Sequence, residues 1–294
     1  MKAGYVALIG RPNVGKSTLL NQLLGQKLSI TSRKPQTTRH RILGINTLPK
    51  GQIVYLDTPG MHEESQRALN RQLNRTADSA LLGVDAIVFL IDKPAWADYD
   101  RVILEKLKQA ALPTLLAINK VDQITDKSLL LSFLAEANAT FPFAELIPIS
   151  ALKSTNTQAL EHALLQLLPE NEPIYPPDQL TDRPERFFCA EMIREKLIRY
   201  LGDELPYRMT VEIESFAETE AVTRIHALIW VEQPSQKSIV IGKRGEKLKR
   251  VGTEARLDIE RMLERKVFLK LWVKVKKGWS DDQRALHSLG FNEL

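Results

Sequence analysis

The chain has 294 residues, 44% of them hydrophobic and 26% charged, with a net charge of +5; these proportions belong to soluble globular proteins of two ordinary domains and exclude disordered, collagen-like and fibrous chains. A single cysteine, Cys189, allows no intramolecular disulfide and no cysteine cluster for zinc, so a reducing, intracellular compartment is expected. The first ten residues contain no secretory h-region, and the longest apolar stretch, 80–91, is broken by Asp85 and falls short of the roughly 18 residues that a membrane span needs.

In chain order, apolar runs at 5–9, 53–56, 86–91, 114–118 and 146–149 read as buried strands. Stretches at 17–24, 66–82, 100–111, 127–137 and 157–168 carry helical spacing between them. This alternation predicts a parallel sheet covered on both faces. A further strand at 39–47, joined to 52–56 by Leu48-Pro49-Lys50-Gly51, suits an antiparallel hairpin. An α/β domain of six strands, one antiparallel, is expected over 1–168. The segment 169–184 holds five prolines and reads as a semi-rigid linker.

A smaller α+β domain is expected over 185–279, with a tail at 280–294. Its elements are a helix at 187–201, strands at 209–216 and 222–231, an amphipathic helix at 246–263 and a strand at 267–275 with Lys270, Lys274 and Lys276 on one side. Charge is concentrated here: 237–277 holds fourteen Lys and Arg against five Asp and Glu, a net of +9. The aromatics Phe187, Phe188, Phe216, Trp230, Phe268 and Trp272 and the thiol Cys189 are expected in the core, and Trp279 is expected to pack over the domain.

Gly10-Arg11-Pro12-Asn13-Val14-Gly15-Lys16-Ser17 fits G-x-x-x-x-G-K-[ST], between a strand and a helix. Glycines let backbone N–H groups wrap phosphates, Lys16 reaches the β and γ oxygens, and the Ser17 hydroxyl suits Mg²⁺. Asp57-Thr58-Pro59-Gly60 ends a strand, where the carboxylate can hold Mg²⁺ through water and the Gly60 N–H can meet a γ-phosphate. In Asn119-Lys120-Val121-Asp122, the Asp122 carboxylate can accept two donors from guanine, a pair that adenine lacks. In Ser150-Ala151-Leu152, the Ala151 N–H can bond guanine O6. All these loops follow strands, where open α/β sheets bind ligands. A switch loop is expected at 31–41, with Thr38, or alternatively Thr37, offering a hydroxyl to Mg²⁺.

Ile239-Val240-Ile241 enters a second glycine loop, Gly242-Lys243-Arg244-Gly245, followed by Lys247, Lys249 and Arg250. Two glycines allow close approach to a single-stranded sugar-phosphate chain, and the basic side chains attract it.

The ordered motifs resemble the translation-factor-related branch of GTPases. The second half, read as helix, strand, strand, G-x-x-G, helix, strand, resembles a type II KH domain. Together they are similar to the Era family of bacterial GTPases over nearly the whole chain. The resemblance implies a slow GTP hydrolase that binds near the 3′ end of 16S ribosomal RNA and assists maturation of the small ribosomal subunit. It also implies a cytoplasmic protein with some peripheral contact with the inner membrane. A monomer is the default expectation. An alternative is a GTPase whose basic half works at a membrane surface or on a cell-cycle protein. Two positions qualify the resemblance. Met61 stands where Ras-type enzymes carry the water-orienting glutamine, with His62 beside it as a surface residue, so turnover is expected to be slow. Asn13 occupies the position that, in similar GTPases, can help bind K⁺ in place of an arginine finger.

Overall fold

The computed structural model describes residues 1–32, 34, 37–60, 68–202, 205–282, 284 and 286. The first half is built on strands β1 (Lys2–Ile9), β2 (Ile42–Leu48), β3 (Gly51–Asp57), β4 (Ala86–Ile91), β5 (Thr114–Ile118) and β6 (Glu145–Pro148), in the order β2-β3-β1-β4-β5-β6. The β2/β3 pair is antiparallel and every other pairing is parallel. This is the expected six-stranded architecture.

Successive side chains of β1 divide between two cores. Val6 and Leu8 meet Leu19 and Leu20 of α1 (Lys16–Leu24) and Leu160 and Leu164 of α5 (Thr157–Leu167). Ala7 and Ile9 meet the other layer: Ala77 of α2 (Ala68–Ser79), Ile103 of α3 (Asp98–Ala110) and Phe133 of α4 (Lys127–Thr140). Burial on both faces explains why these strands read as continuous apolar runs.

The second half consists of α6 (Glu185–Tyr200), β7 (Met209–Glu218), β8 (Thr223–Val231), α7 (Pro234–Ile241), α8 (Glu246–Leu263) and β9 (Val267–Val275). Its sheet runs β7-β8-β9, the first pair antiparallel and the second parallel. Ile225, Ala227, Ile229 and Val273 on one face pack against Ile193 and Leu197 of α6 and Val251, Ala255 and Ile259 of α8.

Four expectations need correction. The run 239–241, read only as an apolar entry to the glycine loop, closes the helix α7. Pro234 stands at its first turn, and the Gln233 N–H donates to Gln236 Oε1 at 3.0 Å, a start signal hidden among polar residues. The stretch 169–184 is bound to the first half throughout: Gln52 Oε1 accepts from the N–H groups of Ile174 and Tyr175, and the Ile45 N–H donates to Leu180 O. Phe268 and Trp272 are not core residues, being 48% and 49% exposed. They share the parity of Lys270 and Lys274 along β9, and that parity is the signal their hydrophobicity obscured. Trp279 packs, but against the first half instead of over its own domain: it is fully buried with Leu69 and Leu73 of α2 and with Leu286.

Candidate functional site

The loop between β1 and α1 wraps the amine of Lys16, which donates to the carbonyls of Gly10 at 2.8 Å and Arg11 at 2.9 Å. Burial depresses the Lys16 pKa to about 8, with Asp57 pulling the other way. Ser17 Oγ lies 2.7 Å from Asp57 Oδ2 and 2.8 Å from Thr38 Oγ1. Thr37 turns away and donates to Lys34 O at 2.7 Å, so only Thr38 joins the cluster. Asp57 Oδ2 also accepts from Ser29 Oγ, while Oδ1 is buried and has no partner among the described residues. Burial raises the Asp57 pKa, opposed by Lys16 and the two serine hydroxyls. Two hydroxyls around a carboxylate with one unused buried oxygen form a hard-oxygen set that fits Mg²⁺.

After β3, Thr58 Oγ1 donates to Leu8 O at 3.1 Å, Pro59 is buried, and Gly60 reaches the phosphate loop. A Cβ at Gly60 would stand 2.7 Å from Pro12 N, so no larger residue fits that approach. Met61 and His62 lie outside the described residues, as does Gln36 of the switch loop.

The far end of the site is cross-linked by Asn119. Its Nδ2 donates to Val14 O at 2.8 Å, and its Oδ1 accepts the Ala151 N–H at 2.9 Å. That amide was expected to serve guanine O6; here its proton points at Asn119, so a base oxygen would have to share it. Gly15 is required at this crossing, since a Cβ there would come within 2.2 Å of Asn119 Nδ2. Ser150 Oγ donates to Asp122 Oδ1 at 2.6 Å and fixes the carboxylate expected to read the base. Lys16, Thr38, Asn119, Asp122 and the exposed Leu152 line one cavity of about 940 Å³, joined from the second half by Arg199.

The second glycine loop follows α7. Gly242 and Gly245 hold φ of 75° and 79°, and Arg244 between them holds 52°, a left-handed turn that starts α8 at Glu246. Lys243, Arg244, Lys249 and Arg250 are exposed and Lys247 is half-buried. The Arg250 guanidinium lies 4.4 Å from the Tyr200 ring centre and pairs with Glu254, so it is already engaged.

Comparison with known proteins agrees with this geometry in both halves. A family model described as a 50S ribosome-binding GTPase matches residues 5–120, and a KH-domain model matches 204–280. GTPase Era of Marinobacter nauticus is 56% identical over 293 residues, covering 100% of this chain and 96% of that protein. GTPase Era of Ectopseudomonas mendocina is 56% identical over 290 residues, covering 99% and 97%.

The chain belongs to the Era family of GTPases.

It is therefore a GTP hydrolase with a C-terminal KH domain. Two solved Era structures superpose with a TM-score of 0.96 at 39% identity and cover 99% of each chain. One is a variant from Aquifex aeolicus bound to GDP·AlF4⁻; the other is Era in complex with MgGDPNP and nucleotides 1506–1542 of 16S ribosomal RNA.

Within this family member, the structure adds groups that the motifs did not reveal. Asp92, at the end of β4, accepts Arg11 Nη2 at 3.0 Å and Lys120 Nζ at 2.9 Å, tying the 10–17 loop to the 119–122 loop. Partial burial resists its ionisation, but those two cations hold its pKa below the usual carboxylate range. Arg11 Nε also reaches the fully buried Asp100 at 2.8 Å. Lys120 Nζ donates to the carbonyl of Asn13 at 2.8 Å, and Asn13 itself has φ of 64°.

The segment 30–39 is shared between the halves. Ile30 enters the apolar core of the KH half, Arg39 Nη1 donates to Met209 O at 2.7 Å, and Arg194 donates to Thr37 O. No helix among the described residues is long and apolar enough to cross a membrane.

Proposed function

We infer that the chain couples a GTP cycle to single-stranded RNA binding at the 3′ end of 16S ribosomal RNA, and so assists maturation of the small ribosomal subunit. One observation carries the coupling: adjacent residues of one loop face both halves. Thr38 touches Ser17 in the nucleotide site, while Thr37 accepts a hydrogen bond from Arg194 of the KH half. The solved Era bound to both MgGDPNP and a 16S fragment supports the choice of partners.

In this reading the backbone of 10–17 cradles the phosphates, and Lys16 meets the β and γ oxygens. Ser17, Thr38 and, through water, Asp57 would hold Mg²⁺, which would supply charge to neutralise the phosphates. Gly60 offers its N–H to the γ-phosphate. Asp122, steadied by Ser150, reads guanine, with Asn119, Lys120, Ala151 and Leu152 shaping the base pocket. Met61 has no group to orient water, so the basal rate is slow; Asn13 would be the residue to hold K⁺. Lys243 and Arg244, between Gly242 and Gly245, take up RNA phosphates with Lys247 and Lys249, while Arg250 must first leave Glu254. The protein works as a cytoplasmic monomer with weak peripheral membrane contact.

The test is RNA affinity for oligonucleotides ending like the 16S 3′ terminus, compared between GDP and a non-hydrolysable GTP analogue at fixed salt. Tighter, sequence-dependent binding with the analogue is expected. Equal, weak affinity in both states would move the basic half to another polyanion, such as an anionic lipid surface.

A further inference from the structure

The face of the β7-β8-β9 sheet opposite α6 and α8 carries aromatic rings where a solvent-facing sheet would ordinarily carry only polar groups. Alternation places Ile225, Ala227, Ile229 and Val273 inward, and therefore Arg224, Trp230, Phe268 and Trp272 outward. Phe268 and Trp272 are each about half exposed. Every one of these rings has a cation over it. Arg224 lies 5.9 Å from the Phe268 ring centre, Lys270 lies 4.8 Å from that of Trp272, and Lys274 and Lys276 each lie 5.8 Å from that of Trp230.

We propose that this face is a second RNA-binding surface, on which single-stranded bases stack while the flanking cations take their phosphates. The proposal rests on the reading of the KH half as an RNA binder and extends it to residues outside the glycine loop. A ring with a cation beside it matches the two parts of a nucleotide: the π face receives the base, and the cation moves from ring to phosphate. Charge supports a polyanion. Four cations stand over the three rings. The acidic groups beside them are Glu212, which accepts the Trp230 indole N–H at 2.7 Å, and Glu214, 3.8 Å from Lys274.

Position supports a continuous RNA path. β9 is an edge strand, and α8 crosses its inner side so closely that a Cβ on Gly252 would meet Leu271 at 3.4 Å. Leu271 and Trp272 are neighbours on β9, pointing to opposite faces. A strand leaving the groove beside Gly242–Gly245 therefore turns over one strand edge to reach the platform. A G-x-x-G groove clamps about four nucleotides, so longer RNA has chain to spare for it.

The test uses the full chain loaded with a non-hydrolysable GTP analogue, and compares affinity for single-stranded RNA of four and of about twelve nucleotides. In the double variant Phe268→Ala/Trp272→Ala, affinity for the longer RNA should fall on the order of ten-fold per ring. Affinity for the tetranucleotide, and for polyphosphate as a polyanion without bases, should stay constant. Trp272→Phe should retain most of the long-RNA affinity, because a smaller ring still stacks. Unchanged long-RNA affinity in the double variant would overturn the proposal and leave the face to a protein partner, as would an equal loss for polyphosphate. Loss of all RNA binding in Lys243→Asp/Arg244→Asp, beside an unaffected double variant, would preserve the KH reading while rejecting the platform. If the unaltered chain bound neither RNA, both readings would fall.

Discussion

Glu195, on the first helix of the KH half, accepts the backbone N–H of Thr31 in the switch loop at 3.1 Å. The carboxylate is fully buried and also takes Lys27 Nζ at 2.6 Å and Arg199 Nη2 at 2.9 Å. One side chain thus holds a backbone position in the loop that lines the cavity between Lys16 and Asp122, and it belongs to the half that carries the G-x-x-G turn.

Replacing it should uncouple the halves. Glu195→Ala leaves the Thr31 N–H and two cations without their shared acceptor, at a cost of about 1–3 kcal/mol. The expected outcome is a lower thermal midpoint, together with a smaller ratio of RNA affinities between the GTP-analogue and GDP states. Linkage requires the same shrinkage in the effect of RNA on nucleotide affinity. An unchanged ratio measured by titration in either direction would show that Glu195 only packs.

Asp122→Asn tests base recognition. The carboxylate accepts Ser150 Oγ at 2.6 Å, and an amide there would turn a donor toward guanine. GTP affinity should drop about a hundred-fold, consistent with loss of charge-assisted hydrogen bonds of 1.5–3 kcal/mol. Xanthine nucleotides, which present an acceptor where guanine presents its exocyclic amine, should bind the variant better than the parent.

Lys16→Met should act in opposite directions on binding and stability. Burial depresses the Lys16 pKa to about 8, so carrying its charge at neutral pH costs the ligand-free fold stability. The variant should lose at least about a hundred-fold in GTP affinity, since both phosphate contacts are charge-assisted. Its ligand-free thermal midpoint should equal or exceed that of the parent. A clearly lower midpoint would mean that the bonds to Gly10 and Arg11 outweigh the desolvation cost.

His40 provides a pH dependence at the junction of the halves. Its ring meets Phe187 edge-on at 5.5 Å, and burial depresses its pKa to about 4 from 6.5, with Arg194, Arg183 and Arg39 adding to that and Glu191 opposing it. A histidine depressed in the folded state contributes stability that is complete above pH 6.5 and is lost as pH falls toward 4. Urea denaturation of parent and His40→Gln should converge over that window, the parent losing roughly 2–3 kcal/mol more than the variant. Parallel curves would place the acid sensitivity elsewhere.

Trp279→Ala should destabilise the contact between the C-terminal segment and α2. The indole is fully buried against Leu69 and Leu73, so truncation should cost about 3–5 kcal/mol if the site cannot collapse. Because α2 follows the 57–60 loop, we expect the basal hydrolysis rate to change as well. A stable variant with parental hydrolysis would make this contact incidental.

By itself, the sequence determined the loops that depend on local spacing. The glycines and Lys16 of 10–17, the acids at 57 and 122 and the glycine pair at 242 and 245 were legible because each loop's backbone path is set by neighbouring residues. The six-stranded sheet was legible because two-sided burial leaves continuous apolar runs, as in β4. Tertiary structure alone decided what depends on distant partners. Nothing in the letters marks the charged residues Glu191, Arg194, Glu195 and Lys196 for burial, yet all four are buried because α6 lies between its own sheet and the 30–39 segment. The charge network of Arg11, Asp92 and Lys120 joins three strand ends whose separation along the chain hides it. Phe268 and Trp272 show the converse. Hydrophobicity placed them in the core, but strand parity and the helices on the other face left them in water. Burial is a property of what packs against a residue, and a single chain of letters records that only where the partner is close in sequence.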